Sequence, residues 1–583
     1  MYTFQKSLPN LPLPALDQTC KLYLDVLAPL LNPTELEATR NQVADFQNGI
    51  GPRLQKQLEL VHKATKTSYL YDLGVKNFLE NRSPLPIHIN FGGVLTPLDK
   101  TADASLTQLA ATWIHYSLQF YLQIKAGSLS PDQESPKSGG RPLCMTQYEN
   151  LFGCARVPGI NRDSLKPRQN KQNIVVVWQN IFFSLELVDG NQIAPIEAIE
   201  QQLRAIVAQD YAKEPTVGAL TTLNRTGWAI LRNSLTAISS VNVDTLQLLD
   251  SALFVVCLDD TEPQNLAAAA RSALHGNGRN RWFDKPLQFI FTKNGWAGIN
   301  VEHCGLDGYA VMRCLYEIQQ ISQQPNQPLD TLNLEKHKSP QQLNWDLTEE
   351  IRGEIQLATA AIDQLIDKTA SVLLRFTEFG RKYIKHHLLS PDATVQLAIQ
   401  LAYGKRHGKP ACTYESVHTR RFRYGRTEAM RSVTPESVEL CNLFSTSASN
   451  EQKYIALKAA VMAHVARQRA CQQGYGADRH LAALQQIARL QNITPAIFKD
   501  RAYTEVLGQS VLSTSSLAPG MGIDAFCFGP VVEHGYGIGY IIQPESIVLN
   551  VTSRDRQASQ FVEALEQALT ALGELMTLSD TVP

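Results

Sequence analysis

The segment 287–308 constrains the fold more than any other part of the chain, because it predicts a β-hairpin that ends in a histidine. A β-rich run at 287–291 precedes Asn294 and Gly295, a dipeptide typical of two-residue hairpin turns in which both central residues have φ > 0. Residues 296–301 continue as a second strand, and His303 follows at its end. Strand ends project side chains into clefts, so the segment predicts an imidazole at a site.

The composition is that of a globular protein and excludes several function classes. Hydrophobic residues make up 44% of the 583 residues and charged residues 19%, with a net charge of −1. A balanced charge gives no general attraction to nucleic acid or to an acidic membrane, and no apolar run approaches a membrane span. The ten cysteines are scattered without a C-x-x-C pair, which indicates reduced thiols rather than a zinc site or disulfides. We find no targeting signal and expect a cytoplasmic protein.

Helical and strand signals are mixed without βαβ repetition, which predicts a mixed α/β (α+β) fold in two lobes. We predict a helix over 348–375, and one over 390–403 with Ser390 as N-cap. Strands are predicted over 502–515 and 528–551, with a glycine-rich GYGIGY between strand segments.

Polar stretches predict where the chain is exposed and where it divides. The Pro/Gly/Ser-rich stretch 127–142 predicts a surface loop, and the polar stretch 330–345 a boundary between lobes. We expect residues 86–345 to form one lobe and residues 1–85 with 346–583 to form the second.

His303 is followed by Asp307 and Gly308, so an imidazole and a carboxylate stand four residues apart. Imidazole is the side chain best suited to take a proton near neutral pH. The competing interpretation is a buried structural histidine. Cys304 is a poor candidate nucleophile, because adjacent residues of a strand face opposite sides.

Three further motifs carry polar groups, each with a structural alternative. Ser513 and Ser515 share one face of a strand and could donate to an oxyanion, although the motif taken alone favours a merely polar strand. The basic and aromatic stretch 414–431 suits either a carboxylate site or a solvated face. The cations at 381–385, before the capped helix, suit a phosphate or a solvated face.

These motifs occur together, and in the same order, in the carnitine/choline acyltransferases, which the sequence resembles almost from end to end. The motifs that carry the resemblance are LPNLPLPALDQTCKLYL (8–24), PLCMTQYENLFGCARVPG (142–159), HGNGRNRWFDK (275–285), EHCGLDG (302–308), SPDATVQLAIQLAY (390–403), TYES (413–416), FRYGRTEAMRS (422–432), ADRHL (477–481), LSTSS (512–516) and FGPVVEHGYGIGY (528–540).

The resemblance implies two lobes similar to chloramphenicol acetyltransferase, with a tunnel in which coenzyme A meets an alcohol. It implies His303 as general base, Ser515 as oxyanion donor, and an ion pair of Asp307 with Arg426 that shapes the site. The residues implied for carnitine are Tyr414, Thr427, Arg479, Phe528 and Ser513, and those implied for coenzyme A are Arg381, Lys385 and Asp392.

Within the family, two positions favour a particular substrate. Arg479 matches the arginine that choline-specific relatives lack, and choline has no carboxylate for it to bind, so we expect carnitine. Phe526 stands where long-chain relatives have glycine, so we expect a blocked acyl channel and short acyl groups, acetyl first.

Two departures from the family lie near the alcohol site. Ala429 replaces a threonine, and the residues 68–74 replace a tryptophan-rich stretch, so the alcohol is carnitine or a related zwitterion. We expect a reversible monomeric enzyme of fatty acid metabolism with acyl-CoA and carnitine as substrates, and no bound cofactor, metal, nucleic acid or membrane. The alternatives are an O-acetyltransferase of choline or a related quaternary amine, and a catalytically silent acyl-CoA-binding paralogue.

Overall fold

The computed structural model describes residues 1–99, 101, 104–135, 139–168, 172–209, 211, 215–324, 339–554 and 557–578. Its helices are α1 (Leu16–Leu27), α2 (Pro33–Asn48), α3 (Gly51–Ala64), α4 (Tyr71–Glu80), α5 (Leu106–Ala126), α6 (Ile196–Val207), α7 (Arg225–Ile238), α8 (Ser240–Ser251), α9 (Leu266–Leu274), α10 (Gly308–Gln323), α11 (Glu349–Lys368), α12 (Arg381–His386), α13 (Pro391–His407), α14 (Pro435–Phe444), α15 (Asn450–Gln472), α16 (Asp478–Leu490) and α17 (Ala558–Leu578).

The strands complete a mixed α/β fold, as predicted. They are β1 (Phe91–Leu95), β2 (Ala155–Val157), β3 (Ser164–Lys166), β4 (Asn173–Trp178), β5 (Ile181–Glu186), β6 (Val188–Asp189), β7 (Gln192–Ile193), β8 (Val255–Asp259), β9 (Leu287–Thr292), β10 (Ala297–Val301), β11 (Gln341–Leu343), β12 (Ala370–Phe376), β13 (Thr413–His418), β14 (Thr427–Arg431), β15 (Leu512–Leu517), β16 (Ile523–Cys527), β17 (Tyr536–Ile542) and β18 (Ile547–Ser553).

Two large mixed sheets organise the molecule. The first is eight-stranded with the order β11-β5-β4-β8-β9-β10-β1-β16, and the second is six-stranded with the order β12-β18-β17-β15-β13-β14. The main core cluster covers the first sheet with α5 and α10, and a second cluster packs α13 and α17 on the second sheet. A third cluster joins α1–α3 to α16.

The division into lobes at 345 stays a prediction. Part of the predicted boundary, 330–338, lies outside the described residues. One strand from the latter half of the chain, β16, pairs with β1 at the edge of the first sheet.

The β9–β10 hairpin forms as predicted, but its turn differs from the expected two-residue type. Phe291 pairs with Ala297, the amide of Gly295 donates to the carbonyl of Thr292, and Gly295 alone in the turn has positive φ (89°). This is a longer loop with a glycine bulge, which is the other common way to close a hairpin. Strand β10 ends at Val301, so His303 lies just beyond the strand.

Several predicted elements need correction. The helix predicted over 348–375 ends at Lys368, and residues 370–376 form β12, because the β-branched and aliphatic run there pairs with β18. The strand predicted from 502 begins only at Leu512, and 502–507 are π-helical. The helix over 390–403 is confirmed as α13, with Ser390 accepting from the amide of Ala393.

The glycine-rich GYGIGY segment is part of strand β17 rather than a connection between strands. A Cβ on Gly537 would lie 2.6 Å from the carbonyl oxygen of Phe528, and one on Gly539 would clash with Phe526. These glycines therefore let the backbone that carries Phe526 and Phe528 cross closely over the second sheet.

The stretch 127–142 is not simply a surface loop. Asp132 is fully buried and accepts hydrogen bonds from Tyr148 (2.9 Å), Arg313 (3.0 Å) and Arg420. Residues 136–138 lie outside the described residues. The carboxylate of Asp132 thus anchors a polar stretch that composition alone marks as exposed.

Candidate active site

His303 lies directly after β10 with one ring nitrogen fixed by the backbone. Its Nδ1 is 2.5 Å from the carbonyl oxygen of Leu306, which can only accept, so Nδ1 carries the proton. The neutral ring then keeps its lone pair on Nε2. This is the tautomer that a general base requires.

Two aromatic rings hold the imidazole from different directions. The ring centroid of Phe78, on α4, is 5.3 Å from that of His303, and the centroid of Phe91, on β1, is 5.4 Å away. Sequence reasoning missed both residues. No local pattern in the sequence marks either ring.

Asp307 and Arg426, predicted as an ion pair, meet in the structure. The Arg426 guanidinium donates to Asp307 at 2.8 and 3.2 Å, and also to the carbonyl of Cys304 at 2.6 Å. Burial opposes ionisation of Asp307, but Arg426 outweighs burial and lowers the pKa of the carboxyl to about 2. Its nearest oxygen is 3.9 Å from His303 Nδ1, too far for a hydrogen bond. The pair therefore clamps the loop after β10.

Gln147 completes this clamp and was also missed. Its side chain donates to Asp307 Oδ2 at 2.8 Å and accepts from the Asp307 amide at 2.7 Å. Gln147 stands inside the motif at 142–159, which was the only signal in the sequence that could have indicated it.

His303 opens into a cavity of about 640 Å³, here called the reaction cavity. The structure brings together in its wall most of the side chains predicted for the site, which are His303, Asp307, Arg426, Ser513, Ser515, Tyr414, Thr427, Arg479, Phe526 and Phe528.

Strand β15 presents its hydroxyls as the alternation predicts. Ser513 and Ser515 line the reaction cavity. The Thr514 hydroxyl is engaged elsewhere: it donates to the carbonyl of Tyr414 at 2.8 Å and accepts from Gln396 at 2.7 Å. Parallel pairing of β15 with β13 also sets Ser513 opposite Tyr414.

Arg479 carries a positive charge that no carboxylate neutralises within the described part of the chain. It is half-buried at the start of α16, and we find no ion pair to it among the described residues. Its neighbour Glu428 is buried, and burial raises the pKa of this carboxyl to about 8 despite Arg479. Near neutral pH Glu428 is mostly protonated, so Arg479 remains available to an anion.

A second charged pair, which sequence reasoning did not foresee, lines the cavity. Arg431 donates to Asp478 at 2.5 and 3.0 Å, and its guanidinium carbon is 5.8 Å from the ring centroid of Tyr414. Because Asp478 neutralises Arg431, Arg479 rather than Arg431 is the cation that an anionic substrate can use.

Phe526 closes one side of the cavity. Its ring lies 5.6 Å from that of Phe91 and 5.5 Å from that of Phe528, centroid to centroid, and the side chain is 6% exposed. The three rings form a continuous apolar wall beside His303.

The residues predicted for coenzyme A lie outside the reaction cavity. Arg381 and Lys385 are exposed one turn apart on α12, so they share a face. Within the described ranges neither forms an ion pair. Asp392 instead turns inward, where it accepts from Tyr540 at 2.7 Å and from Gln468 at 2.9 Å.

The half-buried Asp392 belongs to a polar cluster with the buried Glu415 and His464. One potential ligand atom from each lies within 4.8 Å of the others. Glu415 also accepts from His464 Nε2 at 2.9 Å, and burial raises the pKa of Glu415 to about 7. Hydrogen bonds already engage these groups, and the expected lack of a metal stays a prediction.

Cys304 is unsuited to nucleophilic chemistry. It is fully buried, and burial together with Glu302 raises the pKa of its thiol well above the usual value. All ten cysteines are free thiols.

No helix within the described ranges is both long and apolar enough to cross a membrane. The predicted cytoplasmic location and monomeric state stay predictions.

Comparisons with known proteins agree with one another. The family model described as Choline/Carnitine o-acyltransferase matches residues 11–567. Carnitine O-acetyltransferase of Columba livia is 34% identical over 98% of this chain and 94% of its own length. Mitochondrial carnitine O-palmitoyltransferase 2 of Xenopus tropicalis is 32% identical over 97% of this chain and 91% of its own length. Human choline O-acetyltransferase is 29% identical over 98% of this chain and 80% of its own length.

Solved structures give weaker matches. The trichothecene 15-O-acetyltransferase TRI3 of Fusarium sporotrichioides covers 85% of this chain and 94% of its own, with 9% identity and a TM-score of 0.42.

Proposed function

Because the chain belongs to the choline/carnitine O-acyltransferase family, we propose that this acyltransferase moves a short acyl group, acetyl first, between coenzyme A and the hydroxyl of carnitine. The observation that carries the proposal is the position of the His303 ring in a cavity that also contains Ser515 and Arg479. Its Nδ1–H is held by the Leu306 carbonyl, and its Nε2 has no hydrogen-bond partner in the part of the chain that the structure describes.

The mechanism follows from these positions. His303 Nε2 takes the proton from the carnitine hydroxyl as its oxygen attacks the thioester carbonyl. The Ser515 hydroxyl donates to the resulting oxyanion. Collapse of the tetrahedral intermediate breaks the carbon–sulfur bond, and the coenzyme A sulfur takes the proton from His303. The reverse reaction uses the same groups, so no covalent enzyme intermediate is needed.

Arg479 supports carnitine as the alcohol. A half-buried guanidinium that no carboxylate neutralises among the described residues is suited to the carboxylate of carnitine, and choline has no such group. Tyr414, Thr427 and Ser513 add hydroxyls to the same wall, and Phe528 offers a ring for the quaternary ammonium.

The remaining assignments concern coenzyme A and the acyl group. The exposed cations Arg381 and Lys385 would hold a phosphate of coenzyme A, and Asp392 would lie near the adenine end of coenzyme A. The buried ring of Phe526 limits the acyl group to short chains.

The test is a thiol-release assay with acetyl-CoA and carnitine, choline or buffer alone. We expect release with carnitine at least about tenfold faster than with choline, since a charged hydrogen bond contributes about 1.5–3 kcal/mol. Equal rates with choline would contradict carnitine as the alcohol. No release with any alcohol would favour an acyl-CoA-binding protein. Palmitoyl-CoA reacting as fast as acetyl-CoA would contradict the short-chain assignment.

A further inference from the structure

His88 lines the reaction cavity together with His303 and Phe528, yet no step of the proposed acyl transfer uses it. It lies between α4 and β1, three residues before Phe91, whose ring packs on His303. The wall of the reaction cavity therefore contains a second imidazole besides that of His303.

The turn that carries His88 is held in an unusual conformation. Ile87 has φ 68°, in the left-handed region that β-branched residues rarely adopt, and is 1% exposed. A Cβ on Gly529 would lie 2.5 Å from Ile87 Cγ2, so Ile87 packs directly on the residue that follows Phe528. This packing fixes His88 and Phe528 at the same end of the cavity.

The protonation state of the His88 ring follows from its neighbours. Nδ1 lies 3.3 Å from the carbonyl oxygen of Pro86, which can only accept, so Nδ1 carries the proton. Within the described part of the chain, Nε2 has no hydrogen-bond partner. Burial, helped by Arg554 and opposed by Glu533, lowers the pKa of His88 to about 4. The ring is thus neutral near pH 7 and keeps a lone pair on Nε2.

The lone pair on His88 Nε2 can distinguish a protonated tertiary amine from a quaternary ammonium. A quaternary ammonium has no N–H and is held by aromatic faces such as that of Phe528. A protonated tertiary amine has one N–H, and a neutral imidazole nitrogen accepts it in a charge-assisted hydrogen bond.

We propose that His88 is a specificity-determining residue that lets the alcohol site accept a β-hydroxy acid with a protonated tertiary amine as well as one with a quaternary ammonium. This proposal rests on the proposed function and widens its alcohol class.

The experiment compares carnitine with its N,N-dimethyl analogue, 4-(dimethylamino)-3-hydroxybutanoate, as acceptors from acetyl-CoA. In the wild type we expect kcat/KM for the analogue to be within about tenfold of that for carnitine. In His88→Phe, which keeps an aromatic ring but has no acceptor, we expect the analogue-to-carnitine ratio to fall about tenfold, as for one lost charge-assisted hydrogen bond. His88→Gln keeps an acceptor and is expected to retain most of the wild-type ratio.

Because the readout is a ratio on the same protein sample, a loss of folded enzyme cancels. An unchanged ratio in His88→Phe would overturn the role of His88, and so would an equal fall in His88→Gln. Wild-type protein that acetylates neither alcohol would overturn the proposed function itself.

Discussion

At the scale of single residues, the proposed preference for carnitine over choline depends on the charge of Arg479. Its neighbour Glu428 is kept mostly protonated by burial, and Arg431 is neutralised by Asp478. The local arrangement thus leaves one unneutralised guanidinium facing the cavity, within the described residues.

Arg479→Gln is expected to lower kcat/KM for carnitine by about 10–100-fold, because one charge-assisted contact to the carboxylate is lost. Acetylation of choline, tested in parallel, should change little. Arg489→Gln, on the exposed end of the same helix, is the matched control. An equal loss for both alcohols would contradict the assignment of Arg479 to the carboxylate.

Glu428 should make stability depend on pH. The folded state raises the pKa of this carboxyl to about 8, so it binds the proton more tightly than the unfolded chain does. The stabilisation of the folded state by this bound proton is fully present below the unfolded pKa of about 4.3 and is lost as pH rises through about 8. In urea denaturation, Glu428→Gln should therefore gain stability relative to wild type between pH 5 and pH 8, by a few kcal/mol at most.

Glu59→Gln, on the exposed face of α3, is the control for this experiment. A difference between Glu428→Gln and wild type that stays constant with pH would show that Glu428 is ionised throughout.

At the scale of elements, the close crossing of β16 over β17 shapes the proposed acyl site. Gly537 and Gly539 admit the backbone of 526–528, which places Phe526 against Phe91, the ring that packs on His303. The proposed acyl limit thus depends on two strands as well as on one ring.

Phe526→Gly is expected to extend the accepted acyl chain, because it removes the ring that closes the cavity wall. The measurement is kcat/KM over a series from acetyl-CoA to palmitoyl-CoA. We expect the ratio of medium-chain to acetyl activity to rise by at least about tenfold, since several buried CH₂ groups contribute about 0.8 kcal/mol each. A profile that keeps its wild-type shape would mean that another element limits the chain.

Local sequence signals predicted the elements that depend on neighbours in the chain. The β9–β10 hairpin, the cap of α13 and the shared face of Ser513 and Ser515 follow from turn chemistry, capping and alternation. The end of α11 was missed because helical spacing continues into β12, and only pairing with β18 decides between helix and strand.

Local sequence signals could not predict contacts between residues that are far apart in the chain. The Asp307–Arg426 pair came from the family resemblance, since 119 residues separate the two. Gln147 and Phe78 approach the site from other distant segments, so no spacing rule could select them. The strained turn at Ile87 is likewise invisible in a sequence that has no glycine there.

At the scale of the whole molecule, Asp132 ties segments that are far apart in the chain. It binds Arg313 on α10, which begins just after the His303 loop, and Arg420, which follows β13. Asp132→Asn would leave the buried Arg420 poorly compensated and should reduce the free energy of unfolding by about 3–5 kcal/mol. Urea denaturation measures this, with the exposed Asp189→Asn as control. A loss below about 1 kcal/mol would mean that Arg420 finds other partners.

The most direct test of the whole account is the turnover of His303→Ala with acetyl-CoA and carnitine. We predict a fall of about 10²–10⁴ in kcat, the usual contribution of a general base, with the fold retained by circular dichroism. The exposed His534→Ala, outside the reaction cavity, should retain wild-type turnover. Turnover of His303→Ala near the wild-type rate would contradict His303 as the base.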